Sequence, residues 1–162
     1  MALREYRRLV ALPAADLLKK RGFRKSGWRF RADRGDAGLV VAFQSSQSSD
    51  RNHLKVTVNL SIHLGLLDRD PTIFAGEGHW GRRIGEFMPV PHDHWWVCND
   101  DLESRRAGEE IAAILDNAAL PEMEALASAE ALTRLWASGR SPGLTERQRV
   151  QFLGKLWHRS LS

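Results

Sequence analysis

The sequence predicts an α+β fold, with a small antiparallel sheet of about four strands, one N-terminal helix and several C-terminal helices. Three observations carry this expectation. Residues 54–63, Leu-Lys-Val-Thr-Val-Asn-Leu-Ser-Ile-His, alternate apolar and polar without a break, the period of a strand with one face on a core and one face wet. Two strand-like runs precede it in close succession, which favours an antiparallel meander. From about residue 101 the apolar residues recur at helical spacing instead.

Each element has its own signal. Tyr6, Leu9, Val10, Leu17 and Leu18 fall at helical intervals, so the chain opens on a helix that Pro13 either kinks or restarts. Lys19, Lys20 and Arg21 set cations in its last turn, where they oppose the helix dipole, and Gly22 supplies the stop. Trp28-Arg29-Phe30-Arg31 alternates apolar and basic, Asp33-Arg34-Gly35-Asp36 reads as a turn, and residues 38–45 read as a more buried strand. A polar loop, residues 45–52, leads into the long alternating strand. Residues 65–93 are rich in Gly, Pro, Asp and His and read as irregular, and Trp95-Trp96-Val97-Cys98 as a fourth strand. Asp100 or Asp101 caps a helix to about Asn117, with Ile111, Ile114 and Leu115 inward. Pro121 opens the next, with Met123, Leu126, Leu132, Leu135 and Trp136 inward. After a break at residues 138–143, Thr145 and Gln148 stand at capping-box spacing. They precede a last helix with Val150, Leu153, Leu156 and Trp157 on its inner side.

A chain of 162 residues suits one domain, sheet-rich over 1–100 and helical over 101–162. Such a chain buries a core without metal or disulfide, and no cofactor is expected. The single cysteine, Cys98, lies in an apolar run and reads as a buried thiol. The N-terminus lacks the apolar core of a signal peptide, and no stretch has the length of a membrane span, so the expected location is cytoplasmic. The net charge of +4 is unevenly placed: +8 over residues 1–34, −3 over 35–100, −6 over 101–130 and +5 over 131–162. Basic ends and an acidic middle either neutralise each other within the fold or leave a basic face for polyanions.

Several stretches carry a resemblance. Leu17-Leu18-Lys19-Lys20-Arg21-Gly22-Phe23-Arg24-Lys25 is followed by Trp28-Arg29-Phe30. Val41-Ala42-Phe43-Gln44-Ser45 and Val56-Thr57-Val58-Asn59-Leu60 come next, then Arg82-Arg83-Ile84-Gly85 and Trp95-Trp96. In order and spacing this resembles the bacterial family described as domain of unknown function 4304, over roughly residues 3–100. The resemblance implies an α+β fold with a small antiparallel sheet. It carries over no activity, cofactor or catalytic residue. The family pattern often has Gly after the Asn-Leu pair, where this chain has Ser61.

Four constellations are candidates for function. Gln44, Asn59, Ser61 and His63, with Arg29 and Arg31, share one sheet face if the strands pair as a meander, and they suit a peptide or polar ligand. Arg82 and Arg83, between Gly81 and Gly85, offer guanidinium forks for carboxylate or phosphate. Their alternative is pairing with Glu77, Glu86 or Asp93. His79, His92 and His94, with Asp93, are weak candidates for a metal site, since their spacing matches no zinc signature. His158 reads as a surface residue. Trp28, Arg29, Phe30 and Arg31 interleave aromatic and basic residues as single-strand binders do, although the aromatics fall on the face opposite the arginines.

Nucleotide-binding, hydrolase-elbow and His-Glu-x-x-His signatures are absent from the sequence. The leading expectation is therefore a non-enzymatic protein- or peptide-binding or regulatory module, of the kind that neutralises a toxin. It acts through Gln44, Asn59, Ser61, His63, Arg82, Arg83, Trp95 and Trp96. A nucleic-acid binder using the basic N-terminal region and a metal-dependent hydrolase are the alternatives.

Overall fold

The computed structural model describes residues 2–69 and 78–160, the segment 157–160 by backbone alone. The chain opens on one continuous helix, α1 (Ala2–Lys20), with Pro13 inside it, neither broken nor restarted. A proline at this position leaves the Leu9 carbonyl without its helical N–H donor. The neighbouring helix α3 (Asp101–Ile114) sets Gly108 against this turn. A β-carbon on Gly108 would lie 2.7 Å from the Val10 carbonyl oxygen and 3.0 Å from that of Leu9. Only glycine lets the two helices cross this closely. Gly22, at φ 85°, ends the turn after α1 as expected.

Among the described residues six strands form one antiparallel sheet: β1 (Arg24–Ser26), β2 (Arg29–Arg34), β3 (Ala37–Ser45), β4 (Leu54–Leu64), β5 (Trp80–Arg83) and β6 (Trp96–Cys98). The spatial order is β1-β2-β3-β4-β5, and β6 pairs with the other end of β4. The meander of the three central strands matches the sequence expectation. β1 and β5 are additional. Both are too short, and too poor in alternating apolar residues, to stand out from their loops. A four-residue helix, α2 (Gly65–Asp68), follows β4, and a 3-10 turn (Ile84–Phe87) follows β5.

Strand alternation places Phe30, Leu39, Val41, Val56, Leu60 and Ile62 on the buried face. They share one apolar cluster with Val10 and Leu18 of α1 and Ile111 of α3. The helical tail runs through α3, a π turn (Leu115–Ala119) and α4 (Leu120–Ala125) without the expected break. Pro121 explains the wide turn, because it cannot donate to the Asn117 carbonyl and its ring needs room there. Asp100 caps α3 by accepting the Glu103 N–H at 2.7 Å. α5 (Ala129–Ala137) is capped by Ser128. α6 (Glu146–Ser160) opens on the expected reciprocal pair, with the Thr145 N–H on Gln148 and the Gln148 N–H on Thr145.

On α6 the inward position belongs to Phe152, fully buried against Trp136. Val150, expected inward, is exposed, because the buried stripe is set by Phe152, Leu153 and Leu156. The Trp157 and His158 side chains lie outside the described residues. Cys98 is buried, and burial pushes its thiol pKa up. Among the described residues no helix is long and apolar enough to cross a membrane.

Part of the uneven charge is paired inside the fold. Arg21 meets Asp116 at 2.5 Å, Arg34 meets Glu124 at 2.9 Å and Arg82 meets Glu122 at 2.7 Å. The basic first segment is thus tied to the acidic run 101–130. Each such exposed pair contributes little stability.

Candidate functional site

The strand register builds the site. Arg29 lies opposite Ala42, Ala42 opposite Asn59, and Asn59 opposite Arg83, one rung across four strands. The next rung is Arg31, Val40, Ser61 and Gly81. Gln44 and His63 extend the same face above and below. Small residues in the middle and long polar ones at the sides make the floor concave. The resulting cleft has a volume of about 710 Å³ and is closed at one side by Gly143 and Gln148, at the start of α6, and bordered by Glu86.

Much of the hydrogen-bonding capacity here points into the cleft. The Asn59 amide donates to Gln44 Oε1 at 2.6 Å, which leaves the Gln44 NH2 and the Asn59 carbonyl oxygen for a ligand. The Gln148 carbonyl oxygen is taken by the Thr145 N–H at 2.9 Å, which leaves its NH2. Arg83 donates from Nη1 to both carboxylate oxygens of Asp93, at 2.9 and 3.1 Å, and lies 5.3 Å from the Trp95 ring centroid. Its hydrogen bond holds the Asp93 carboxyl below the usual carboxylate range. Lys55, on the same face, sits 5.9 Å from that ring. Arg29, Arg31 and Lys55 have no carboxylate partner among the described residues.

Of the eight expected binding residues, Gln44, Asn59, Ser61, His63, Arg82 and Arg83 line the cleft, and Trp95 flanks it beside Arg83. Arg82 contributes without its guanidinium, and Trp96 lies elsewhere. Successive strand residues point to opposite faces, so Arg82, opposite Leu60, turns its guanidinium to the helical side. There it meets Glu122 and lies over Phe87 at 4.3 Å. Trp96 enters the core and donates its indole N–H to Glu110 of α3 at 3.1 Å. Of the arginine partners expected from sequence, Glu86 and Asp93 are found, while Glu77 lies outside the described residues.

Thr57, expected on the wet face, is fully buried. The segment after the 3-10 turn lies over it, and its hydroxyl donates to the His94 carbonyl at 2.8 Å. Thr57→Val is expected to lower the unfolding free energy by about 1–3 kcal/mol, the cost of leaving that carbonyl unpaired. Urea denaturation of the variant checks this.

The histidines also sort differently from the sequence expectation. His92 and His94 bond to each other, Nε2 to Nδ1, at 3.0 Å, and His92 Nδ1 donates to the Val90 carbonyl. His79 lies instead beside His63, with ring centroids 5.9 Å apart. His79 is fully buried, and burial holds its pKa down at about 4, against the pull of the Asp68 carboxylate. It is therefore neutral at physiological pH. Its Nδ1 accepts the Leu64 N–H at 2.9 Å.

Sequence reasoning missed Asp68, Lys55, Gly143 and Gln148 as members of this region. Lys55 was legible from the alternation of residues 54–63. The other three reach the cleft only through tertiary turns, with no local pattern to mark them.

No curated protein and no solved structure matches this chain. The family model described as Domain of unknown function (DUF4304) matches residues 14–125, from the middle of α1 through the end of α4. The match spans more than half of the chain and includes every strand of the sheet, so this protein belongs to the DUF4304 family.

Proposed function

We propose that this chain is a non-enzymatic binding module of the cytoplasm, and that its cleft takes an extended acidic segment of a partner protein. The observation that carries this reading is the set of uncompensated cations, Arg29, Arg31 and Lys55, around a trough with unspent amide groups from Gln44, Asn59 and Gln148. Alternate side chains along a strand stand about 6.7 Å apart, which is also the spacing of alternate side chains in an extended peptide. Asn59, Ser61 and His63 on β4 therefore offer contacts in register with such a segment. Guanidinium groups suit its carboxylates, and Trp95 supplies an aromatic anchor of the kind that dominates interfaces. Nucleic acid is less favoured, because Arg21, Arg34 and Arg82 are paired with acids of the helical tail.

Selection from a random peptide-display library tests the reading. Peptides rich in Asp and Glu are expected to be enriched, and Arg29→Glu is expected to weaken their binding by about tenfold or more, an effect equal to one charge-assisted hydrogen bond. Enrichment without acidic residues, or binding indifferent to Arg29→Glu, contradicts it. So does tight binding of single-stranded DNA that falls steeply with salt while no peptide is selected.

A further inference from the structure

His63, Asp68 and His79 lie at the end of the cleft formed by β4, α2 and the start of β5. Each offers a ligating atom, and these atoms all lie within 4.8 Å of one another. His63 Nδ1 is 3.6 Å and His79 Nε2 is 3.8 Å from Asp68 Oδ1. We propose that these three side chains form a site for a divalent transition-metal ion, of the imidazole-and-carboxylate class that takes zinc or cobalt.

Three features support it. Two ligands on a tetrahedral zinc at ~2.1 Å stand about 3.4 Å apart, so the two separations from Asp68, 3.6 and 3.8 Å, need only a small contraction, while the two imidazoles, within 4.8 Å, close by side-chain rotation. His79 is completely buried, its Nε2 has no hydrogen-bond partner among the described residues and lies 3.8 Å from Asp68 Oδ1; the fold leaves this atom unsatisfied, and a cation satisfies it once the ring's proton has moved to Nδ1. The donor set is intermediate in softness, two nitrogens and one oxygen, which suits zinc, cobalt or nickel over calcium or magnesium. His63 lines the cleft, so the site adjoins it.

Loading has a defined consequence for His79. With Nδ1 accepting the Leu64 N–H, the neutral ring carries its proton on Nε2. A cation takes the Nε2 lone pair, the proton moves to Nδ1, and the Leu64 N–H gives up that acceptor. Two N–H groups then face each other where one bond stood, so loading also moves the His79 ring and the Leu64 amide apart, at a cost that coordination by three side chains must offset. The Leu64 amide therefore reports occupancy from a residue that is not itself a ligand.

Titration of the full-length, tag-free protein with Co2+ tests the site, read by visible absorption and by the Leu64 amide resonance. The expected result is saturation at one Co2+ per chain, competition by Zn2+, and movement of the Leu64 resonance on loading. Asp68→Asn and His63→Gln are each expected to weaken binding by about 100-fold or more, while leaving the far-ultraviolet dichroism of the protein unchanged; removal of even an outer-shell partner costs 10–100-fold. Two results overturn the proposal. One is no cobalt spectrum at millimolar metal. The other is binding that Asp68→Asn and His63→Gln leave intact but His92→Gln abolishes, which places the ion at His92 and His94. Neither result depends on whether the cleft takes a peptide.

Discussion

Replacing Trp80 by alanine is expected to lower the unfolding free energy by about 3–5 kcal/mol. Trp80 opens β5, pairs with Ile62 and is among the largest fully buried side chains in the protein. Nothing beside it is positioned to refill the space, since its neighbours on the buried face are held in strand register. A loss of this size is a large share of the roughly 5–15 kcal/mol that holds a domain folded. The damage also reaches the cleft. β5 pairs with β4 over only four residues, and it carries Gly81 and Arg83 on the opposite face. Equilibrium urea denaturation measures the effect. A loss below about 1 kcal/mol would mean that Trp80 is not the anchor of β5.

Gly85→Ala should act through backbone collision. A β-carbon at this position would stand 2.0 Å from the His92 carbonyl oxygen and 2.7 Å from the His94 nitrogen. No rotamer relieves this, because the opposing atoms are main chain. The 3-10 turn and the segment 88–95 must separate, at a cost of about 1–3 kcal/mol or more. The displaced segment carries the His94 carbonyl that Thr57 uses, and leads directly to Trp95. A double-mutant cycle checks the mechanism. If Gly85→Ala already breaks the Thr57–His94 bond, then adding Thr57→Val costs less than it does in the parent protein. Simple additivity would show that the two sites act independently.

The periodic parts of the fold were legible in the sequence. The ten-residue alternation of β4, the Asp100 cap, the Thr145–Gln148 capping pair and the stop at Gly22 each rest on a local rule, and each is present. What stayed hidden depends on tertiary partners. Pro13 remains inside α1 because Gly108 allows α3 to close on that turn, a match between residues 95 positions apart. β5 becomes a strand because β4 offers it a free edge, not because Trp-Gly-Arg-Arg has a strand pattern. Within the candidate site, the polar side chains of β4 could be grouped from their period alone. Adjacent pairs misled: Arg82 and Arg83, like Trp95 and Trp96, look like units in the sequence, yet alternation along an extended chain sends the members of each pair to opposite faces. The association of His79 with His63 and Asp68 required the turn through α2 and the return of β5, which no spacing rule anticipates.

The basic character of the chain illustrates the same division. Composition alone leaves open whether the excess of arginine forms a surface for polyanions. The structure shows which of these cations are paired. Arg21, Arg34 and Arg82 meet carboxylates of the helical tail, and Arg83 meets Asp93. On the sheet face, Arg29, Arg31 and Lys55 remain without a carboxylate partner among the described residues.

The most direct test of the central claim is a backbone-amide nuclear magnetic resonance titration with a Glu-rich peptide at moderate salt. The expected result is saturable shifts confined to the cleft face, at Arg29, Arg31, Gln44, Lys55, Asn59, Ser61, His63, Arg83 and Gln148, with Trp95 responding at its indole N–H. Shifts clustered on α1 and α3, or a sheet face that stays silent throughout the titration, would contradict it.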